Sequence, residues 1–234
     1  LESGDVCTAI QLTESLLAQL PERLELAKGL ARLQLLAGQT ELATQQWLKV
    51  ADLAKAQQDW DSAAQAMTEA LQLNCQLSDV QLELAVLLQE QLNNPLEALL
   101  HLQQLSARCP QMIAAMQRYA QLLVSLGRTK EVAELLSRAE QGSNLAKQLL
   151  QDQLDQVDAS SLKRYRIGEL AYHMGELDLA IEQFQQTRRL SQFELHSYKM
   201  LGLCFAAKRG FNMLDLGIRQ IARGLAVQGH SERE

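Results

Sequence analysis

The side chains that could bind a metal ion or transfer protons are scattered along the 234 residues. The histidines are His101, His173, His196 and His230. No two of them have the i, i+4 spacing that points two imidazoles from one helix face toward a metal ion. None has a nearby Cys or carboxylate in a recognisable ligand motif. The sequence therefore predicts no metal site.

Two short motifs resemble catalytic or phosphate-binding signatures but fit helix starts better. Asp59 and Asp61 flank Trp60 and bring two carboxylates close together. At the start of a helix such carboxylates are favoured by the positive end of the helix dipole. The fragment Gly127-Arg128-Thr129-Lys130 follows no strand, so it is typical of a turn and a helix cap. No Ser/His/Asp or Cys/His arrangement stands out, and we predict neither catalysis nor a cofactor.

The cysteines indicate a reducing compartment. Cys7, Cys75, Cys109 and Cys204 contain no Cys-x-x-Cys pair, and we interpret them as small buried apolar residues. No run of about 18 apolar residues suits a bilayer, and no secretory signal opens the chain. We therefore predict a cytoplasmic protein without membrane insertion. Because the chain begins at Leu1, we also expect an excised fragment.

Composition predicts an all-α protein. Hydrophobic residues make up 47% of the chain and aromatics only 4%, so the apolar content is mostly Leu and Ala, which favour helices. The net charge of −6 is uneven: residues 1–159 carry 20 acidic and 11 basic side chains, whereas residues 160–234 carry 8 and 11. The basic excess could favour an acidic partner or be ordinary solvated surface. Without a dense basic run, nucleic acid is not expected.

Residues 161–192 predict a pair of antiparallel helices joined by a turn at Gly175. Gly168 allows the first helix to approach its neighbour closely. In the second helix, Ala180 and Phe184 lie four apart on the inner face, with Phe184 as the large side chain. One such hairpin cannot bury its own apolar face, so stacked copies are expected.

Turn residues recur at the period of a helical hairpin. Asn93 follows Gln58 by 35 residues, and Gly127 follows Asn93 by 34. Gly210 likewise follows Gly175 by 35. Gly175 follows Gly127 by 48 residues, 14 more than the preceding period of 34. We interpret the extra residues as one short helix and a linker.

Three parts are predicted on this basis. Residues 1–142 hold amino-terminal helical repeats, with an irregular register before about residue 75. Residues 143–160 hold the extra short helix and linker, and residues 161–234 hold further hairpins in an array that looks truncated. Because Gly38 and Gln58 lie only 20 apart, the helix between them would serve both as the second of one pair and as the first of the next.

Two prolines are predicted to open helices. Asn94-Pro95-Leu96-Glu97 has the form of a cap, a first-turn proline and a capping-box acid. Pro21, with Glu22 beside it, has the same character.

The spacing of these residues resembles the tetratricopeptide repeat (TPR) family, over about residues 24–225 and most strongly in 113–139 and 161–224. The resemblance implies a right-handed superhelical solenoid of antiparallel helix hairpins, with the first helices lining a concave groove. Small and large residues at matching positions of consecutive hairpins carry it: Gly168, Ala180, Phe184 and Thr187, then Tyr198, Leu201, Gly202 and Phe205.

The resemblance also implies which residues line the groove, if Gly168 and Gly202 occupy the family's eighth position. The lining residues are Gln117, Arg118, Gln121, Arg166, Glu169, His173, His196, Lys199 and Leu203. Arg118, Arg166 and Lys199 would form a sparse basic ladder for carboxylates of an extended or helical peptide, unless they are simply solvated charges. The asparagines with which one subgroup of the family holds a peptide carboxy terminus are missing, which argues against that mode.

We therefore predict a protein–protein interaction scaffold that captures a protein or peptide partner in its groove and performs no catalysis. One alternative stays open: a structural spacer or self-association module of a larger enzyme or regulator, forming a homo-oligomer or packing on its own chain. A homodimer that buries the groove would favour this alternative, and a monomer with an open groove would favour peptide capture.

Overall fold

The computed structural model describes residues 3–138, 142–155, 161–208, 210 and 212–231. These residues form thirteen α-helices and no strand. The all-α prediction is therefore confirmed. The chain divides into two units, Leu1–Met116 and Gln117–Glu234.

The helices follow one another with short connections. In the first unit they are α1 (Ser3–Gln19), α2 (Leu24–Leu36), α3 (Thr40–Ala56), α4 (Trp60–Leu73), α5 (Ser78–Glu90) and α6 (Pro95–Arg108), and α7 (Ile113–Ser125) contains the division. The second unit continues with α8 (Thr129–Arg138), α9 (Gly142–Asp155), α10 (Ser161–His173), α11 (Leu177–Thr187), α12 (Glu194–Ala207) and α13 (Met213–Ser231). Helix α9 occupies the segment predicted to hold an extra helix, while residues 156–160 of the predicted linker lie outside the described residues.

Helix α3 packs against both of its neighbours, α2 and α4, as the double role predicted for it requires. Trp47, Val50 and Ala54 are all buried along this helix. Ala54 also joins a core cluster with Ala63 of α4 and Leu87 of α5. The first unit is thus built by each helix covering the apolar face of the one before it.

The predicted turn residues adopt left-handed backbone conformations, with one correction. The residues with positive φ are Gly38 (75°), Gln58 (60°), Asn93 (48°), Gly127 (77°), Gly175 (83°) and Asn212 (63°). A left-handed residue after a helix lets the next N–H groups reach back to the last carbonyls. Between α12 and α13 this residue is Asn212 and not the predicted Gly210, because that turn is longer.

Side-chain caps account for the polar residues that precede two helices. Oδ1 of Asp59 accepts a hydrogen bond from the Ser62 amide at 3.1 Å. Hydrogen bonding from the Ser62 side chain, and then from its amide, lowers the Asp59 pKa because it stabilises the charged carboxylate. Asn94 caps α6 in the same way through the Glu97 amide, with Pro95 in the first turn. Both caps agree with the sequence prediction.

Pro21 does not open a helix, contrary to prediction. Helix α2 begins at Leu24, and Pro21 lies in a turn in which the Arg23 amide donates to the Leu20 carbonyl at 3.2 Å. Proline is favoured at the second position of such a turn because its ring already fixes the required φ. The same rigid φ also suits the first turn of a helix, so a proline in the sequence is compatible with either structure.

The cysteines are all free, but only Cys204 is buried. Burial raises the pKa of its thiol to about 11. Cys109 is half-buried, whereas Cys7 and Cys75 are exposed. The prediction of four buried thiols is therefore wrong for these last two, which lie on the open side of α1 and in the turn after α4.

Close approaches between helices occur within two hairpins of the second unit, between α10 and α11 and between α12 and α13. A Cβ on Gly168 would lie 2.8 Å from Cε1 of Phe184, so only glycine lets α10 rest on this ring. In the next hairpin, a Cβ on Gly202 would lie 2.4 Å from Cγ1 of Ile221 and 3.0 Å from the Gly217 carbonyl oxygen. Phe184 is fully buried as a result.

Replacing Gly168 with Ala should destabilise the protein by about 1–3 kcal/mol, because the added methyl overfills a packed site. Gly29→Ala is the matched control, since a Cβ there meets nothing within 4 Å in the middle of α2. That change should be stabilising by about 0.5–1 kcal/mol, the helical preference of Ala over Gly. Urea unfolding followed by circular dichroism measures both. Equal effects at the two sites would contradict the packing described here.

Candidate partner-binding surface

Neighbouring first helices of two hairpins, α10 and α12, present a mixed surface that we call the α10–α12 face. On α10, Tyr165 and Glu169 lie four residues apart, so they share one side of the helix. On α12, His196, Lys199 and Leu203 share a side for the same reason. The ring centroids of Tyr165 and His196 are 6.5 Å apart, which brings the two helices' contributions together.

Aromatic packing and a buried hydrogen bond fix α12 beside α10 and α11. Tyr165 stacks on Phe193 with ring centroids 5.3 Å apart and an angle of 23°, and it meets Phe184 edge to face at 5.5 Å. The hydroxyls of Thr187 and Ser197, both fully buried, are 2.8 Å apart. The face is therefore held from beneath by side chains with few alternative rotamers.

Glu169 is a half-buried carboxylate on this face. Partial burial raises its pKa, while a hydrogen bond from Tyr165 and the positive charges of Arg166 and His196 oppose the rise. The pKa of Tyr165 is raised as well, first by burial and then by the Glu169 charge. The phenol therefore stays protonated and serves as a hydrogen-bond donor to the carboxylate.

Arg166 supports the end of α7. Its Nη1 donates to the carbonyl of Ser125, the last residue of that helix, and its guanidinium lies beside Gly127 in the following turn. The last carbonyls of a helix lack intrahelical partners and favour a cation. Arg166, which was predicted as part of the basic ladder, therefore has a structural role that the sequence did not reveal.

The other predicted groove residues have different surroundings. Gln117 donates from Nε2 to Oε1 of Gln148 on α9 at 3.3 Å. Gln121 and Arg118 are half-buried on α7, and Arg118 is already engaged in an interaction. His173 is exposed at the end of α10, where partial desolvation and then the charge of Lys130 lower its pKa.

Lys199 and Leu203 are both exposed on α12, so the face offers a cation and an apolar side chain side by side. Tyr165 was not predicted as part of this surface. The available signal was its position four residues before Glu169, which puts both on one side of α10.

Within the described residues, no group of three or more His, Cys, Asp or Glu side chains is placed to hold a metal ion. No helix in that part of the chain has the length and apolar character needed to cross a membrane.

No protein-family model matches this chain, and neither does any curated protein. Several solved structures resemble it. MamA protein is 17% identical, with 84% of this chain and 96% of that one covered and a TM-score of 0.43. PilW, a type IV pilus biogenesis factor, is 15% identical with 94% of each chain covered and a TM-score of 0.36.

A tetratricopeptide repeat protein from Parabacteroides merdae is 14% identical, with 95% of this chain and 93% of that one covered and a TM-score of 0.34. All three TM-scores lie below 0.5. The helix hairpins predicted from the residue spacing are confirmed by the order of the helices and by the packing of consecutive helices on one another.

Glu169→Gln should leave the protein as stable as the parent at pH 7, or more stable. The amide still accepts from Tyr165 but avoids burying a charge. Because the folded pKa of Glu169 lies above its ordinary 4.5, the native state binds the extra proton, and the parent loses stability as pH rises through that raised value. The difference between parent and variant should therefore shrink as pH falls toward 4.5.

Thermal unfolding between pH 4 and pH 8 measures this effect, with the exposed Glu182→Gln on α11 as the control. A lower stability of Glu169→Gln at pH 7 would instead mean that the ionised carboxylate stabilises the face through Arg166 and His196.

Arg166→Ala should lower the free energy of unfolding by about 1 kcal/mol, because the Ser125 carbonyl loses a charged donor. Lys199→Ala should leave stability unchanged, since Lys199 is exposed. Chemical denaturation distinguishes the two residues. Equal stability of both variants would show that Arg166 is as dispensable to the fold as Lys199.

Proposed function

We propose that this chain is a non-catalytic interaction scaffold whose α10–α12 face holds a segment of a protein partner. The observation that carries the proposal is the convergence of Tyr165, Glu169 and His196 from two hairpins, with Lys199 and Leu203 beside them on α12. Such a surface combines hydrogen-bond acceptors, a cation and apolar area on rigid helices.

Each group on the face suits a different part of a peptide. The Glu169 carboxylate accepts one hydrogen bond from Tyr165 and retains further acceptor capacity for a backbone N–H. Lys199 can donate to an acidic side chain, and Leu203 can pack against an apolar one. The partner that fits is therefore a segment with an apolar residue and an acidic residue close together.

Fewer basic residues are available to a partner under this proposal than the ladder predicted from the sequence contains. Arg166 contributes to the end of α7, so Lys199 and the imidazole of His196 supply the donors on the α10–α12 face. Exposed charge pairs contribute little each, so we expect the apolar contact and the backbone hydrogen bonds to provide most of the affinity.

The rigidity of the α10–α12 face favours partner binding. The face rests on the Tyr165–Phe193 stack and on the buried Thr187–Ser197 hydrogen bond. A preformed surface loses less conformational entropy on binding than one that must rearrange. The protonated phenol of Tyr165, directed to Glu169, acts here in positioning that carboxylate.

Peptide display against the parent chain should select segments of this chemistry, and the selected peptide then serves as the probe. Lys199→Glu and Leu203→Asp should each weaken its binding at least about fivefold, which corresponds to about 1 kcal/mol. Fluorescence polarisation at fixed salt measures the affinity.

Arg189→Glu is the matched control, because it reverses an exposed charge in the turn after α11, on neither α10 nor α12. Selection of no peptide, or equal affinity of the selected peptide for all four proteins, would contradict the proposed site.

A further inference from the structure

Helix α13 carries an exposed apolar stripe that its own packing does not use. Leu214, Ile218, Ile221 and Leu225 recur at spacings of four, three and four residues, which place them along one line of the helix. Leu214, Ile218 and Leu225 are 64%, 58% and 62% exposed. We call these four residues the α13 stripe.

The contact of α13 with α12 lies on an adjacent side of the helix. Gly217 and Gly224 are buried there, against Gly202 and Tyr198 of α12. Ile221 stands at the border, because it also touches Gly202. The α13 stripe is therefore a second helix-packing surface beside the one already filled.

Helix α1 carries a comparable stripe. Leu12 and Leu16 lie four apart on α1, and Leu20 follows at the same spacing just after the helix ends. All three are exposed, Leu12 by 63%, and we call them the α1 stripe. The buried side of α1, with Val6 and Ile10 packed on Leu30 of α2, lies next to it.

Charge distinguishes the surroundings of the two stripes. The first unit, residues 1–116, carries 14 acidic and 6 basic side chains, a net charge of −8. The second unit, residues 117–234, carries 14 acidic and 16 basic side chains, a net charge of +2. The two units of different copies therefore attract each other, whereas two first units repel.

We propose that copies of this chain associate head to tail, with the α13 stripe of one copy packed on the α1 stripe of a second copy. Both stripes consist of Leu or Ile at helical spacing, so they can interdigitate as neighbouring helices of the array do. Removing both apolar surfaces from water provides the driving force. This inference is independent of the α10–α12 face.

Pairing of α13 with α13 is less favourable on two counts. It would bring together two second units of like charge, and it would leave the α1 stripe exposed. A head-to-tail contact instead covers both stripes with one kind of interface. Since that interface joins two different surfaces, symmetry does not limit it to a dimer, and longer chains or closed rings follow.

The test uses sedimentation velocity over about 1–200 μM, since one helix pair is a small interface and micromolar affinity is expected. An α1 variant carries Leu12→Ser and Leu16→Ser, and an α13 variant carries Leu214→Ser and Ile218→Ser. The control carries Leu96→Ser and Leu100→Ser, two exposed leucines on α6 with the same spacing. Circular dichroism and thermal unfolding establish that all three fold.

The parent and the control should grow in mass above the 26.1 kDa monomer as concentration rises. Each stripe variant alone should associate at least about tenfold more weakly. Mixed in equal amounts, the two variants should form a one-to-one pair that grows no further, because one intact α1 stripe and one intact α13 stripe remain. Added salt should weaken the association of the parent.

Three results would overturn the proposal: a parent that stays monomeric throughout, an α1 variant that associates as well as the parent, or a mixture of the two variants that does not pair. The second result would indicate α13–α13 pairing. Leu203→Ser keeps the charge of the second unit and lies outside both stripes, so this variant should bind the selected peptide more weakly and associate like the parent. Loss of peptide binding and loss of self-association are therefore distinguishable.

Discussion

A helix hairpin with an apolar face on each side cannot be stable alone, and this constraint governs the whole chain. In the second unit the Tyr165–Phe193 stack and the buried Thr187–Ser197 hydrogen bond join one hairpin to the next. Within the hairpins, Gly168 brings α10 onto Phe184, and Gly202 brings α12 onto Ile221 and the backbone of Gly217. The contact at Gly168 buries Phe184 fully, whereas Ile221 remains 38% exposed. The α10–α12 face is formed by residues of α10 and α12 that this packing leaves half-buried or exposed.

The functional groups of the α10–α12 face are positioned by the packing between two hairpins, a contact that we call the seam. Tyr165 fills that seam by stacking on Phe193, and its hydroxyl orients Glu169. The carboxylate is thereby held partly out of water, where a hydrogen bond to a partner is stronger than at a fully solvated position. Lys199 stays in water on α12. One face thus offers both a positioned acceptor and a mobile cation, which suits recognition of a segment better than proton transfer.

The parts of the fold that depend on local spacing could be predicted from the sequence. Gly168 and Phe184, the turn at Gly175 and the cap at Asn94 each follow from steric rules that act within one hairpin. Contacts between distant residues could not be predicted in this way. Arg166 reaches Ser125, 41 residues earlier, and the stacking of Tyr165 on Phe193 depends on how α12 seats. The prediction that Pro21 opens a helix was wrong for another reason, because a turn and a helix start require the same φ at proline.

The central claim is that the α10–α12 face receives a partner segment, and amide hydrogen exchange tests it most directly. Exchange of the parent chain would be followed by mass spectrometry with and without a saturating amount of the display-selected peptide. Bound peptide should add protection in α10 and α12, with little change in α2 to α6. Protection confined to the first unit, or equal protection along the whole chain, would contradict the claim.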